Sequence, residues 1–431
     1  MKPVVEHCCG IDVHKETLFA CVLSGSKRKE VKVFGSDRAA LLAMKAWLRR
    51  ANVTVVAMES TAAYWVPVYE VLEEAEPNQP AFDLRLCNAE QVKKVPGRKT
   101  DVGDAEWLAR LTMYGLLRKS FVPPRAQRDL RQMVRTRRSY IEMRTNVHNQ
   151  VCELLETAQI KLGNVVSDVF GTTGTGILRA LISGVTDPKI LAEEARGSLR
   201  GKRKELAIVL DGSVRDAHHA LLNVHMQVLD QIGKTIEQLD NEAARLLQAQ
   251  KVEWELLQTI PGIAEDAAAG ILAEIGTDTQ VFGVAARLAS WAGICPGNNV
   301  SAGKKLRGAG GHIAKGNQYL VTLLVQAAWC AVRKKNSRFS RKYYVLKARL
   351  GNSKKAIIAI AHMLLRVIFA ILKARKPYQE QEEKVVRQQV DREAQRKLRW
   401  LQRHGYEVTA GRPSGANVYT LAPAAPAPEP A

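Results

Sequence analysis

The stretch "CGIDVHKETLFACVL", residues 9–23, decides how the N-terminal part of this chain folds. It is rich in residues that favour β-structure, and it predicts one strand over its whole length. Asp12 lies inside this otherwise apolar strand, where an ionised carboxylate is costly unless another group compensates it. Turn amides could satisfy the carboxylate, or Asp12 could be a functional ligand. Asp12 is therefore the first candidate site residue.

Further strands and helices follow this stretch along the chain. The segments "KEVKVFG", "NVTVVAME" and "AFDLRLCN" predict three more strands, and the second of them ends at Glu59. Helices are predicted between them, and a helix from Asp101 to about Leu117 closes the region. Strand pairs followed by alternating strands and helices predict an α/β sheet with helices packed on it.

Two more acids share one face of that closing helix. In "GRKTDVGDAEWLA", residues 97–109, Asp101 and Asp104 are three positions apart, so both carboxylates can reach one metal ion. Alternatively, both acids only suit the positive end of the helix dipole. With Asp12 and Glu59 they make four oxygen ligands of the kind that binds Mg²⁺ in phosphoryl transfer.

The charge balance of the chain is strongly basic. Its 431 residues, enough for two or three domains, include 64 Lys and Arg against 43 Asp and Glu, a formal net charge of +21. Such an excess favours a polyanion, with nucleic acid ahead of a membrane surface. The seven cysteines form no CxxC pair, which indicates a reducing cytoplasm without a disulfide framework or zinc site. We expect no apolar run long enough to span a bilayer and no signal peptide.

The middle of the chain is predicted to be helical. A basic helix from Pro123 to about Leu155 begins with seven arginines against two acids over 125–144. A Gly-rich, mainly helical insert follows at 162–212. Apolar residues over 222–246 then alternate spacings of three and four, which predicts a coiled-coil seam within or between chains. A long helix packed on its own domain is the alternative.

The C-terminal half contains a helical hairpin and a glycine-rich loop. "LLQTIPGIAEDAAAGILAEIG", 256–276, predicts helix, Pro-Gly turn and helix, as in helix-hairpin-helix modules or in a plain hairpin. In "LASWAGICPGNNVSAGKKLRGAGGHIAKGNQYL", 288–320, Ser301 lies among cations that suit attack on a phosphodiester, although an ordinary loop serine is the alternative. A charged helix and a disordered Pro/Ala tail are expected over 379–431.

Three blocks, "GIDVHKET", "MESTAAYW" and "GRKTDVGDAEWLA", resemble the DEDD-type, RuvC-like domain of transposases of the insertion-sequence-110 (IS110) family. The segment 288–320 is similar to the second, transposase domain of the same family, and the resemblance extends from residue 9 to about 378. The insert at 162–212 matches a longer subgroup. The resemblance implies an RNase H-like fold, an Mg²⁺-binding tetrad of Asp12, Glu59, Asp101 and Asp104, and Ser301 as the nucleophile.

The resemblance also implies a function, a DNA transposase or recombinase guided by a structured bridge RNA. Ser301 would form a covalent phosphoserine link to DNA, with the acidic tetrad holding Mg²⁺ at the same phosphate. The RuvC-like domain of one subunit would meet the transposase domain of another in a dimer or tetramer that binds donor and target DNA. The expected location is the bacterial cytoplasm, at the nucleoid. The alternatives are a metal-only junction nuclease and a non-enzymatic nucleic-acid-binding scaffold.

Basic residues of the loop at 93–99, of the basic helix and of the glycine-rich loop around Ser301, called the serine loop below, are the expected nucleic-acid contacts. They are Arg98, Lys99, Arg131, Arg135, Arg138, Lys304, Lys305, Arg307, His312 and Lys315. The expected fold class is α/β plus α, with a RuvC-like domain, a long helical coiled-coil spacer and a mainly helical transposase domain. The expected divisions are 1–120, 121–255, 256–378 and 379–431.

Overall fold

The computed structural model describes residues 3–25, 28–60, 62–77, 79–88, 101–295, 300–301, 304–305, 313, 316–335, 337–380, 396–401, 403–404, 406–410 and 419–423. At 101–102, 300–301, 304–305, 406–410 and 419–423 it describes the backbone alone. The chain forms two compact units, Met1–Pro124 and Arg125–Ala431. The four-part division expected from the sequence stays a prediction.

The first unit is built on a five-stranded sheet. Its strands are β1 (His7–Val13), β2 (Thr17–Ser24), β3 (Arg28–Gly35), β4 (Val55–Glu59) and β5 (Asp83–Cys87). Their order in the sheet is β3-β2-β1-β4-β5. The first three strands form an antiparallel meander, and β4 and β5 continue the sheet in parallel with β1. The predicted α/β sheet is therefore confirmed.

The prediction of one strand over 9–23 is wrong, because the segment forms the β1–β2 hairpin. The backbone amide of His14 donates to the carbonyl oxygen of Thr17 over 3.0 Å and closes the turn. The turn contains the exposed polar run His14, Lys15 and Glu16, whose side chains could not be buried in a continuous strand. The propensity pattern alone missed this break, since three polar residues in a row are the turn signal.

Helices cover both faces of the sheet. The helices are α1 (Arg38–Arg50), α2 (Trp65–Glu73) and α3 (Asp101–Met113). Apolar residues of α1 and α2, such as Met44 and Leu72, pack in one core with Ile11 and Met58. On the opposite face α3 lies very close to β1, because a Cβ at Gly10 would be only 2.3 Å from the carbonyl oxygen of Ala105.

The second unit is mainly helical. Its helices are α4 (Arg125–Thr157), α5 (Thr172–Ile182), α6 (Pro188–Ala192), α7 (Arg203–Val209), α8 (Asp216–Leu247), α9 (Lys251–Gln258), α10 (Glu265–Ile275), α11 (Ala285–Ala292), α12 (Gln318–Arg333), α13 (Arg338–Leu350) and α14 (Ser353–Ala374). The second unit also contains two short antiparallel strand pairs: β6 (Val300–Ser301) with β7 (Lys304–Lys305), and β8 (Tyr406–Ala410) with β9 (Tyr419–Pro423). Residues 381–395 and 424–431, which hold most of the expected charged helix and Pro/Ala tail, lie outside the described residues.

The apolar stripe of the long helix α8 is buried within one chain. α8 packs along α4, and its N-terminal half contributes Leu222 and Leu229 to a core shared with the helical insert. Ile232 and Ile236 continue the same buried face. The stripe is therefore already covered, and it supplies no argument by itself for pairing between chains.

Helix α14 is the core of the C-terminal part. By length and composition it could cross a membrane, contrary to the expectation that no apolar run is long enough. Its residues Ile360, Leu364 and Ile368 are fully buried among the neighbouring helices. Such burial is what the central helix of a globular protein shows, so the apolar run is explained by packing.

Candidate functional site

Asp12 and Glu59 lie side by side on neighbouring parallel strands. The register of β1 and β4 pairs Gly10 with Ala57 and Ile11 with Met58, so Asp12 and Glu59 come next on their strands. Side chains alternate between the two faces of a sheet. Gly10 faces α3, and therefore Asp12, two residues later, points to that same face.

The first turn of α3 leads to the same end of the sheet. The backbone amide of Val5 donates to the carbonyl of Met113, the Cys8 thiol to that of Ala109, and Gly10 touches Ala105. Helix α3 thus runs antiparallel to β1. The helical turn before Ala105, which holds the backbone of Asp101 and the exposed side chain of Asp104, is directed toward the strand ends. The side chain of Asp101 lies outside the described residues.

Sequence reasoning missed His14 as a neighbour of Asp12. Its Nε2 lies 3.1 Å from Oδ2 of Asp12, whose side chain is only 13% exposed. The ring of His14 also makes an edge contact with Phe19, at a centroid distance of 6.0 Å. The hairpin turn creates this contact. A prediction of one straight strand could not find it.

The donor chemistry of this site suits a hard divalent cation. Asp12 and Glu59 supply carboxylate oxygens, which are the ligands that Mg²⁺ prefers, and Asp104 is the third acid whose side chain is described. Among the described side chains, no group of three or more His, Cys, Asp and Glu is close enough to hold a metal ion. The fourth expected ligand, Asp101, is not among them.

The expected nucleophile lies in a tight strand pair. Ser301 on β6 is the register partner of Lys304 on β7, so the two backbones are adjacent. The side chains of Ser301, Lys304 and Lys305 lie outside the described residues. So do five other expected contacts in their entirety: Arg98, Lys99, Arg307, His312 and Lys315.

The two ends of the serine loop, Gly293 and Gly316, lie against each other and form the neck of the loop. Gly293 ends α11 in the left-handed conformation, with a φ of 77°. A Cβ at Gly316 would lie 2.4 Å from the amide nitrogen of Gly293, so only glycine allows this approach. Directly after Gly316, Asn317 caps α12 by accepting a hydrogen bond from the amide of Leu320. The backbone at both ends of the loop is therefore held by packed helices.

A buried carboxylate ties this neck to the basic helix α4. The side chain of Glu274 is 3% exposed and accepts two hydrogen bonds from Arg135, at 2.8 and 2.9 Å, and one of 2.6 Å from Nδ2 of Asn317. Nε of Arg131 lies 3.3 Å from the same carboxylate. Burial lowers the pKa of the Arg131 guanidinium to about 10, an effect that the charge of Glu274 opposes.

The three arginines of α4 that were expected to contact nucleic acid are engaged within the chain. Arg131 and Arg135 are held by Glu274, and Arg138 donates to Glu142 over 3.0 Å. The ring of Tyr319 lies 4.1 Å from the Arg135 guanidinium and 5.8 Å from that of Arg138. Their contact with nucleic acid stays a prediction, and any phosphate would have to compete with these carboxylates.

The cleft between α4, α10 and α12 has little net charge. It has a volume of about 550 Å³, and its charged lining residues are Arg135, Arg137, Arg138, Glu142, Asp266 and Glu274. Asp266 lies in the first turn of α10 and is paired with Arg137 at 2.8 Å. Gly262, with a φ of 88°, packs against the backbone of α12. An acid at this helix N-terminus makes it a poor phosphate site, because like charges repel.

The positive charge of the chain is concentrated in one segment that sequence reasoning overlooked. Residues 279–379 contain 19 Lys and Arg and neither Asp nor Glu, so they carry +19 of the total +21. The rest of the chain is close to neutral. A count of charge along the sequence, rather than over the whole of it, would have found this segment.

Comparison with known proteins gives two family matches, one to the N-terminal part of the chain and one to the C-terminal part. Residues 9–160 match a family described as transposase, with the DEDD motif and IS110 in its designation. Residues 254–344 match the transposase IS116/IS110/IS902 family. A protein of Pseudomonas aeruginosa described as a probable family 20 transposase is 25% identical over 358 residues, which cover 79% of this chain and 93% of that protein.

Proposed function

Since this chain belongs to the IS110 family of DNA transposases, we propose that it cuts and rejoins DNA strands through a serine-linked intermediate. The observation that supports the strand-cutting part of the proposal is the placement of Asp12 and Glu59 at adjacent positions of a central strand pair, with the first turn of α3 directed toward them. This strand order, an antiparallel meander continued by two parallel strands, is the arrangement expected for an RNase H-like, RuvC-type domain.

The proposed reaction has two phosphoryl-transfer steps. The Ser301 hydroxyl loses its proton and its oxygen attacks the scissile phosphorus; the bond to the 3′ oxygen breaks, and that oxygen takes up a proton. The DNA 5′ phosphate is then esterified to the serine. In the second step a 3′ hydroxyl of the partner strand attacks this phosphoserine, which restores the free serine and joins the strands.

The charged groups have separate tasks in this scheme. A bound Mg²⁺ would neutralise charge that develops on the phosphate oxygens, and Asp12, Glu59, Asp101 and Asp104 would hold it. His14 would orient the carboxylate of Asp12 through its hydrogen bond. Cations of the serine loop, beginning with Lys304 beside Ser301, would stabilise the attacking oxygen.

The partners of the reaction follow from the family resemblance. They are donor and target DNA, a structured guide RNA and further copies of the chain in a dimer or tetramer. The tetrad of one subunit would meet the serine of another. Since the apolar stripe of α8 is covered within one chain, assembly rests on other surfaces than that seam.

The test of the serine step is a covalent adduct. Wild-type protein incubated with Mg²⁺ and its insertion-sequence DNA should form a protein–DNA adduct that survives denaturant, and Ser301→Ala should form none. Ser290→Ala is the matched control, because Ser290 is an exposed serine on α11 and should react as wild type does. An adduct that persists in Ser301→Ala would leave the metal-only nuclease as the better proposal.

A mixing experiment tests the shared site. Ser301→Ala and Asp12→Asn proteins should each be inactive alone, and their mixture should regain part of the strand-transfer activity. The mixed assemblies then contain sites with an intact serine and an intact tetrad. If the mixture stays inactive while each variant still assembles with wild type, both parts of one site belong to the same chain.

A further inference from the structure

An aromatic run crosses from α12 to α13 in the second unit. Trp329 contacts Tyr343 at a ring-centroid distance of 5.8 Å, and Tyr343 contacts Tyr344 at 5.4 Å. The central ring of Tyr343 is buried, whereas Trp329 is 37% and Tyr344 is 62% exposed. The run therefore has a packed centre and two open ends.

The helix that bears Tyr344 has only basic charges. From Arg338 to Leu350 helix α13 contains five Lys and Arg and no acid. Among the described residues, Lys342 and Lys347 form no salt bridge. Arg341 lies 4.0 Å from Glu380, the first acid after the acid-free segment 279–379. This surface has the strongest local excess of positive charge on the described helices.

Ring and cations share one side of the helix. Arg341 and Lys347 lie three residues before and after Tyr344, a spacing that places side chains on the same face. The opposite face is anchored by the buried residues Phe339 and Leu346. The exposed face is therefore held rigidly by the core, so little ordering would be needed for binding.

The combination of ring and charge selects one kind of partner. A clear excess of cations over acids fits a polyanion, and an exposed ring flanked by cations fits a base next to its phosphates. The bases of a duplex are stacked on each other, so only an unpaired base can offer its face to Tyr344. An apolar protein partner could contact the exposed Val345, but such a partner gives no reason for the excess of cations over acids on this face.

We propose that the exposed face of α13 binds an unpaired strand of nucleic acid, with one base stacked on Tyr344 and adjacent phosphates at Arg341 and Lys347. The proposal deepens the proposed function, on which it rests, by naming a binding surface for the single-stranded part of its nucleic acid. Its test needs no strand transfer, so the two can fail separately.

The experiment measures binding of the full-length chain to three fluorescent 20-mers: single-stranded DNA, single-stranded RNA of the same sequence and the DNA duplex. Tyr344→Ala should weaken binding of at least one single strand about ten-fold, the effect of losing one stacked base, and change duplex binding less than two-fold. Tyr344→Phe keeps the ring and should bind as wild type does. Loss with DNA alone or RNA alone identifies the strand.

Val345→Ala is the matched control, because Val345 is also 62% exposed and neighbours Tyr344. It should leave all three affinities unchanged. A strand that contains 2-aminopurine should lose fluorescence on binding to wild type and Tyr344→Phe, and less so on binding to Tyr344→Ala. Circular dichroism should show equal folding of all variants.

Three results would overturn the proposal. They are unchanged binding of both single strands by Tyr344→Ala, an equal loss for the duplex, and an equal loss in Val345→Ala, which would indicate an apolar contact. If wild type stacks a base on Tyr344 but forms no serine adduct, the proposed reaction fails and the binding surface stands.

Discussion

Nδ2 of Asn317 donates a hydrogen bond of 2.6 Å to Oε2 of Glu274. Because Asn317 also caps α12 and follows Gly316 at the neck of the serine loop, this contact connects the loop to α10. Arg131 and Arg135 on α4 bind the same carboxylate. One buried acid thus links the basic helix and the base of the serine loop.

Removing the charge of Glu274 should be costly. Glu274→Gln leaves two guanidinium groups facing a neutral amide in a buried site, and we expect the free energy of unfolding to fall by about 3 kcal/mol. Urea unfolding followed by circular dichroism measures the change. Glu265→Gln on the same helix is exposed and should change it by less than about 0.5 kcal/mol. Equal stability of the two variants would contradict the role given to Glu274.

Substitution of Arg135 tests whether this arginine only stabilises the fold or also binds nucleic acid. Since Glu274 already holds its guanidinium through two hydrogen bonds, Arg135→Gln should lower stability but leave the salt dependence of duplex binding unchanged. Lys304→Gln with Lys305→Gln should reduce the slope of log K against log salt by about 1.8, because each lost phosphate contact removes about 0.9. A reduced slope in Arg135→Gln would show instead that this arginine contacts phosphate.

Gly10 determines how closely α3 can lie on the sheet. A Cβ in Gly10→Ala would be 2.3 Å from a backbone oxygen of α3, so the helix must move outward, at a cost of about 1–3 kcal/mol. The same movement displaces the turn that bears Asp101 and Asp104, and strand transfer should fall. Gly233→Ala on α8 meets no atom within 4 Å and should not destabilise the chain. Thermal unfolding of both variants checks this.

Asp12→Asn should abolish strand transfer without unfolding the chain. The amide has the size of the carboxylate, but it is a much weaker ligand for a divalent cation. Glu16→Gln changes an exposed acid in the neighbouring hairpin turn and should keep full activity. The measurement is recombination between a donor site and a target site at several Mg²⁺ concentrations. Full activity of Asp12→Asn would end the metal hypothesis.

The cysteines should react in two groups. Burial raises the pKa of Cys8 to about 12 and those of Cys21 and Cys87 to about 11, and it raises the pKa of Cys9 as well. These thiols stay protonated and covered at pH 8. A thiol reagent should therefore label Cys330 and Cys295 in the folded chain, Cys152 more slowly because burial raises its pKa too, and all seven only after denaturation. Mass spectrometry of the labelled peptides identifies the sites, and rapid native labelling of Cys9 would contradict the packing of β1.

What the sequence determined by itself was local. Alternating apolar residues predicted β3, and short runs of apolar residues predicted β4 and β5. Asp12 and Glu59 could be assigned to strands because such patterns are a property of neighbouring residues. The helical remainder and the hairpin of α9 and α10 were also predicted from a local pattern, the recurrence of apolar residues with the helical period of 3.6 residues.

Only the tertiary structure decided which groups meet across long stretches of chain. Periodicity showed that one face of α8 must be buried, but not that α4 and the insert of the same chain bury it. Composition showed that α4 is basic, but not that Glu274, 139 positions after Arg135, neutralises part of it. Such pairings depend on how helices pack in space, and a local pattern specifies which face is apolar without specifying its partner.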